Sequence, residues 1–251
     1  DPKSGDVKRW PMPERIGGFV FKKTGGALIV LKSGLYDFDF KTAALTLRVP
    51  TPLPDHVALH ECMCDPTGRF WVGAIDQRVG PGNFHPQGAT FFRLEGNQLV
   101  PVVEKITCAN GLGFSPDGRT LYLSDSTTAR CEQWDLDPKT GALSNRRTFF
   151  ELAPGVGFVD GATVDKEGGY WATCVYGSAL RRYLPDGTLD REVKLPVENP
   201  TKVAFGGDGM ATLYVTTSNW GLGDQKLSPH SGGIFAFKPD VGGIPDTLLP
   251  A

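Results

Sequence analysis

The chain has 251 residues and a formal net charge of −2, from 26 basic and 28 acidic side chains. That balance argues against a nucleic-acid binder, which carries a strongly basic face. Hydrophobic residues at 40% supply a sizeable core, and no apolar run approaches the roughly 20 residues of a membrane helix.

Taken in chain order, short apolar, β-branched or aromatic runs stand at 27–31, 70–74, 120–124, 170–175 and 213–217. Each follows a Gly-containing turn, and none keeps helical periodicity over ten or more residues. Gly and Pro make up about a fifth of the chain, rich in turns yet below the share that marks disorder. The turns repeat. Asp65-Pro-Thr-Gly68, Ser115-Pro-Asp-Gly118 and Asp165-Lys-Glu-Gly168 lie 50 residues apart. Weaker copies, Lys23-Thr-Gly-Gly26 and Gly206-Gly-Asp-Gly209, lie 42 and 41 residues from their neighbours. A second series interleaves: Asp1-Pro-Lys-Ser-Gly5, Asp39-Phe-Lys-Thr42, Asp137-Pro-Lys-Thr-Gly141, Pro185-Asp-Gly187 and Lys238-Pro-Asp240.

Two hairpin turns per unit of this length predict four-stranded antiparallel blades, and an all-β propeller filling 1–251 as a single domain. A sandwich also strings short strands together but has no reason to keep a fixed long period. Five turn-series members account for about five blades, with loose ends on both sides. Five cysteines, few and odd in number, argue against a disulfide framework. With no secretory signal opening the chain, a cytoplasmic setting is expected.

In a propeller the innermost strand of each blade lines the central channel, so equivalent positions converge on the axis. Five residues before the three main turns stand His60, Asn110 and Asp160, and Thr201 and Gly18 hold that offset before the weaker turns. Any one of these polar residues, read alone, would serve neighbouring backbone groups or hold a buried water. Their shared register points instead to a site, because loop capping gives no reason for polarity to recur at one blade position. An imidazole, an amide oxygen and a carboxylate meeting at one end of a channel suit a divalent cation with an open face.

The stretch 108–126, Cys-Ala-Asn-Gly-Leu-Gly-Phe-Ser-Pro-Asp-Gly-Arg-Thr-Leu-Tyr-Leu-Ser-Asp-Ser, resembles the SMP-30/gluconolactonase/regucalcin family. So do Asp65-Pro-Thr-Gly-Arg-Phe-Trp-Val-Gly73, Val159-Asp-Gly-Ala-Thr-Val-Asp165, Lys202-Val-Ala-Phe-Gly-Gly207 and Gly232-Gly-Ile-Phe235. The resemblance implies a six-bladed β-propeller with one divalent metal at the channel mouth and hydrolysis of sugar-acid lactones. It carries the metal-ligand asparagine onto Asn110, and the metal-binding aspartate, the proposed catalytic base, onto Asp160. The family's third ligand, a glutamate in a Gly-Glu-Gly-Pro-like motif, has no counterpart here. Residues 1–40 are similar to the family from the end of its first blade onward, so the N-terminal blade is expected to be incomplete by about 40 or more residues. The family's substrate-binding segment, typically Asn-Arg-x-Asn-Asp-Gly, reads Val57-Ala-Leu-His-Glu-Cys62. His60 and Glu61 are therefore the implied substrate-binding residues, and Ala58 stands where the family has arginine.

Other candidates are thinner. Cys62-Met-Cys64 is not a CxxC pair, and Cys108 and Cys174 belong to other blades, so structural zinc is not expected. No Gly-x-Ser-x-Gly elbow marks a serine hydrolase. Two long connections, 80–85 and 218–230, offer His85, Asn219 and Trp220 as further substrate contacts.

The chemistry expected is lactone hydrolysis with a metal-polarised carbonyl and Asp160 as general base. Asn110 is a neutral ligand, which leaves net positive charge for the oxyanion. Oxygen-rich coordination favours calcium, magnesium or manganese, and His60 among the ligands would tilt the choice toward zinc or manganese. A non-catalytic metal-binding regulatory propeller and an esterase for less polar lactones are the alternatives. The partner expected is a small-molecule lactone, with no nucleic acid and no membrane, acting on a monomer or weak homodimer.

Overall fold

The computed structural model describes residues 4–80, 82–220 and 226–250. Asp1, Pro2 and Lys3 of the first expected turn, and positions 81 and 221–225 of the two long connections, lie outside them.

Among the described residues nineteen strands form five antiparallel sheets, each a meander in chain order. Blade one holds β1 (Ile16–Phe21), β2 (Ala27–Leu31), β3 (Gly34–Phe38) and β4 (Leu45–Pro50). Blade two holds β5 (Val57–Cys64), β6 (Phe70–Asp76), β7 (Ala89–Glu95) and β8 (Gln98–Ile106). Blade three holds β9 (Ala109–Phe114), β10 (Thr120–Asp125), β11 (Arg130–Leu136) and β12 (Leu143–Glu151). Blade four holds β13 (Phe158–Val164), β14 (Tyr170–Val175), β15 (Ala179–Tyr183) and β16 (Leu189–Lys194). Blade five holds β17 (Pro200–Gly206), β18 (Thr212–Thr217) and β19 (Ile234–Phe237). No helix among the described residues is long and apolar enough to cross a membrane.

The expected count of six blades is corrected to five. At turn spacings of 41 to 50 residues, 251 residues hold five repeat units. The first sheet among the described residues has all four strands, and the three-stranded sheet is the last. Near the end of the chain, Leu249 forms a parallel bridge with Lys22, at the end of β1.

The apolar runs found in the sequence are the second strands of the blades, and their continuity has a packing cause. A strand covered on both faces has no solvent side on which to alternate. Phe70 and Val72 of β6 pack with Leu28 and Val30 of blade one. Trp71, between them, packs with Leu112 and Leu121 of blade three. Trp171 of β14 does the same toward Val203 and Leu213 of blade five. All of these side chains are withdrawn from water, Trp71 and Trp171 completely.

The main turns are tied down by their first residue. Asp65 accepts from the backbone N–H groups of Thr67 (2.9 Å) and Arg69 (3.1 Å), and its other oxygen accepts from Trp71 Nε1 (3.0 Å). Asp165 repeats the pattern with Glu167 (2.9 Å), Gly169 (2.8 Å) and Trp171 Nε1 (2.9 Å), and adds Arg182 Nε at 2.7 Å. In blade three, where Leu121 replaces the tryptophan, Ser115 suffices: its hydroxyl accepts from the backbone N–H of Thr120 at 2.9 Å. The five cysteines are all free and buried.

Candidate functional site

Each innermost strand carries a register break near its start. The pairing skips Gly17 in β1, His60 and Glu61 in β5, Gly111 and Leu112 in β9, Asp160 and Gly161 in β13, and Thr201 in β17. Such a bulge bends the strand, releases residues from the ladder and re-aims their side chains. Repeated at one blade position, it turns His60, Asp160 and Thr201 to the axis, with Asn110 at the edge of its own bulge. The corresponding position of blade one is Gly17, not Gly18. Its turn begins at Lys22, whose carbonyl accepts from Gly25 N–H at 3.0 Å, one residue earlier than the sequence register implied.

The bulges also bring neighbouring backbones close. A Cβ on Gly17 would stand 2.6 Å from the Leu59 carbonyl oxygen, and one on Gly161 would stand 2.8 Å from that of Thr201. Both positions require glycine for this close approach.

One cavity of about 1030 Å³ runs along the axis, and His60, Glu61, Asn110, Asp160 and Thr201 all line it. The Asn110 amide donates to Ser126 Oγ (2.9 Å) and Cys108 Sγ (3.4 Å), and Ser126 in turn donates to the Val159 carbonyl (2.7 Å). This chain of bonds joins blades three and four one residue from Asp160. It also commits both amide hydrogens, so Oδ1 is the atom of Asn110 that accepts, with one lone pair for the His60 contact and one beyond it. His60 is in hydrogen-bonding contact with that side chain, while burial holds its imidazole below the usual histidine range.

Asp160 makes no hydrogen bond or ion pair to any described residue. Burial and the nearby Glu61 charge push its carboxyl up to about 7, against the opposing pull of Lys202 and Arg15. Glu61 is differently placed. It is buried, one oxygen accepts from the Leu112 N–H at 2.9 Å, and the other is paired with Lys202 Nζ, which also donates to the Ala162 carbonyl at 3.0 Å.

Among the described residues no group of three or more His, Cys, Asp or Glu is gathered to hold a metal ion. The lock on Glu61 is one reason. What the cavity does offer is an amide oxygen with a lone pair beyond the one that His60 uses, and a carboxylate with no hydrogen-bond partner among the described residues. Two hard oxygen donors of this kind fit an oxygen-seeking divalent cation, with the His60 imidazole beside them. The thiols of Cys62 and Cys108 line the same cavity, but burial holds them well above the usual thiol range, so they are protonated and poor ligands.

Of the three residues offered by the long connections, Asn219 and Trp220 line the cavity, whereas His85 turns aside to Thr127 Oγ1 at 3.0 Å. Two residues were missed. Lys202 carries no spacing signal toward Glu61, because the two are 141 positions apart. Arg15 lines the cavity, and its charge acts on both His60 and Asp160. A signal for it existed. Arg15 stands two residues before Gly17, as Ala58 stands two before His60, so blade one carries a guanidinium at the blade position where blade two has alanine.

Residues 1–219 match the model of the SMP-30/Gluconolactonase/LRE-like region. The chain is 33% identical over 254 aligned residues to a 6-deoxy-6-sulfogluconolactonase from Pseudomonas putida, covering 99% of this chain and 85% of the relative. It is 36% identical over 239 residues to an L-arabinolactonase from Azospirillum brasilense, covering 92% and 76%. A solved structure from Agrobacterium tumefaciens, described as the calcium-binding protein regucalcin, superposes with a TM-score of 0.86 at 24% identity, over 95% of this chain and 80% of that one.

Proposed function

The chain belongs to the SMP-30/Gluconolactonase/LRE-like family, and from that premise we propose that it hydrolyses sugar-acid lactones of the gluconolactone type at the axial cavity. The observation that carries this reading is the unpartnered Asp160 carboxylate lining the same cavity as the Asn110 amide oxygen.

Asn110 Oδ1 and Asp160 are the groups that would hold a divalent cation. Calcium comes first, since both donors are hard oxygens and the similar Agrobacterium protein is described as calcium-binding; magnesium, manganese and zinc follow. Such an ion, when bound, supplies Lewis acidity toward the lactone carbonyl and lowers the pKa of its own water. Asp160 accepts the proton of the water whose oxygen attacks the carbonyl carbon. The ring C–O bond then breaks, and the proton passes to the departing ring oxygen, giving the free hydroxy acid.

His60, neutral through burial, gives its N–H to Asn110 and presents its second nitrogen as an acceptor, for the ion or for a substrate hydroxyl. Arg15 supplies the guanidinium that Ala58 lacks. Glu61, with both oxygens engaged, serves by holding Lys202 against blade four, and direct contact with substrate would require that pair to open. We read the protein as a monomer or weak homodimer acting on a small molecule in the cytoplasm, where its five buried thiols stay reduced.

Titrating acid release from a panel of aldonolactones tests the reading, using protein loaded with each divalent ion in turn. Turnover is expected on at least one lactone. An Asp160→Asn variant of unchanged circular dichroism should lose about 10²- to 10⁴-fold in kcat. No acid release from any lactone by the loaded wild type contradicts the proposal and leaves a non-catalytic ion binder.

A further inference from the structure

Four aromatic side chains stand in a row at the mouth of the cavity. Ring centroids are 5.6 Å apart from Phe84 to Phe158, 6.2 Å from Phe158 to Tyr176 and 6.5 Å from Tyr176 to Trp220. All four line the cavity. They come from blades two, four and five, so no single loop accounts for the row. Phe84 is 46% and Trp220 57% exposed. Large apolar surface left in water is unfavourable for folding, and a contiguous exposed patch of it marks a binding surface.

The row is also built rather than incidental. Asn199 is 1% exposed and reaches two of its members at once. Its Oδ1 accepts from the Tyr176 backbone N–H (3.2 Å), and its Nδ2 donates to the Trp220 carbonyl (2.8 Å). Tyr176 has φ +63°, a left-handed conformation that is costly for a tyrosine and is held here by that bond. The middle of the row lies nearest the reacting groups: Phe158 precedes Asp160 by two residues in β13, and the Asp160 charge acts on Tyr176.

A single lactone ring is much shorter than four successive rings, so the row extends past the reacting centre. Phe84 and Phe158 carry no hydrogen-bonding group, so this part of the wall offers apolar surface and no partner for a hydroxyl. We propose that the row from Phe84 to Trp220 binds an apolar, aryl-type arm attached to the lactone ring, with Asn199 as its positioning residue. The proposal rests on the lactonase reading for its reaction but not for its binding.

The test therefore measures both. Binding of 2-pyrrolidinone and 5-phenyl-2-pyrrolidinone, lactams that resist hydrolysis, is followed by calorimetry on calcium-loaded protein. Turnover is followed on γ-butyrolactone, γ-phenyl-γ-butyrolactone and cellobionolactone. The phenyl compounds are expected to be favoured about tenfold over their parents in Kd and in kcat/KM. Trp220→Ala and Phe84→Ala, both at exposed positions, should each cut that ratio about threefold. Asn199→Ala should reduce it with all four rings still present, an effect that a general loss of stability would not produce. The proposal is overturned by a phenyl lactam that binds no better than its parent, by variants that weaken both members of a pair equally, or by a glycosyl arm preferred to the phenyl one. If no lactone is opened but the lactam preference and its loss in Trp220→Ala persist, the binding surface stands and the hydrolytic reading falls.

Discussion

Glu61 shows how a side chain can line a cavity and still be committed elsewhere. Its carboxylate satisfies the Leu112 N–H and pairs with Lys202, so removing it orphans a buried donor and leaves a cation held only by the Ala162 carbonyl. Lys202 reaches water, which reduces the penalty for losing the partner. We expect Glu61→Ala to cost roughly 2–4 kcal/mol in urea unfolding; a change below about 0.5 kcal/mol would show that the pair does not matter. Asp76 gives a second measurement at this scale. Arg78 Nε and Nη2 donate to it at 2.9 and 2.6 Å and hold its carboxyl down to about 2. Its pKa is thus lower in the folded than in the unfolded chain, so the stabilisation is complete above about pH 4 and disappears as pH falls toward 2. Asp76→Asn should cost about 1–2 kcal/mol at pH 7, discounted for the half-exposed arginine, and almost nothing at pH 2. An equal cost at both values would assign the effect to packing. Repeat register alone identified His60, Asn110 and Asp160, because rotational symmetry turns sequence period into proximity. Nothing comparable marks Lys202, whose partner sits in a non-adjacent blade.

Among the elements, the second strands and their turns were the most legible. The runs at 27–31 and 170–175 coincide with β2 and β14, since a strand buried on both faces writes itself as unbroken apolar sequence. The aspartate–tryptophan turn is the physical content of the repeat, and its two full copies differ usefully. Asp165 is bonded to Arg182, which is 4% exposed, whereas Asp65 faces Arg69 at 23%. Truncation at Asp165 strands a buried guanidinium as well as the turn. Asp165→Ala should therefore cost about 3–5 kcal/mol, and about 1–2 kcal/mol more than Asp65→Ala, in the same denaturant titration. Equal costs would mean that Arg182 finds enough in Glu167 and Asp190. The bulges were not legible. A bulge is a mismatch between two strands, and one strand's residues do not disclose how many residues stand opposite. That is why the register in blade one fell on Gly18 when the structure uses Gly17.

At the scale of the whole molecule, propeller architecture followed from the period, but blade number did not follow from resemblance, which implied six where the described residues form five sheets. The cavity they surround is chemically divided. Arg15 brings charge from blade one, and the aromatic row occupies blades two, four and five. Between them, Asn110 is tied through Ser126 to the Val159 carbonyl of the neighbouring blade, one residue before Asp160. The central claim is that these two oxygens serve a single ion. Calcium titration by calorimetry, on the wild-type chain and on Asn110→Ala and Asp160→Asn, addresses it directly. We expect one ion per wild-type chain and at least tenfold weaker binding in each variant, since each removes a ligand. Undiminished calcium binding in both variants, or no binding by the wild type to calcium or any other divalent ion, would contradict it.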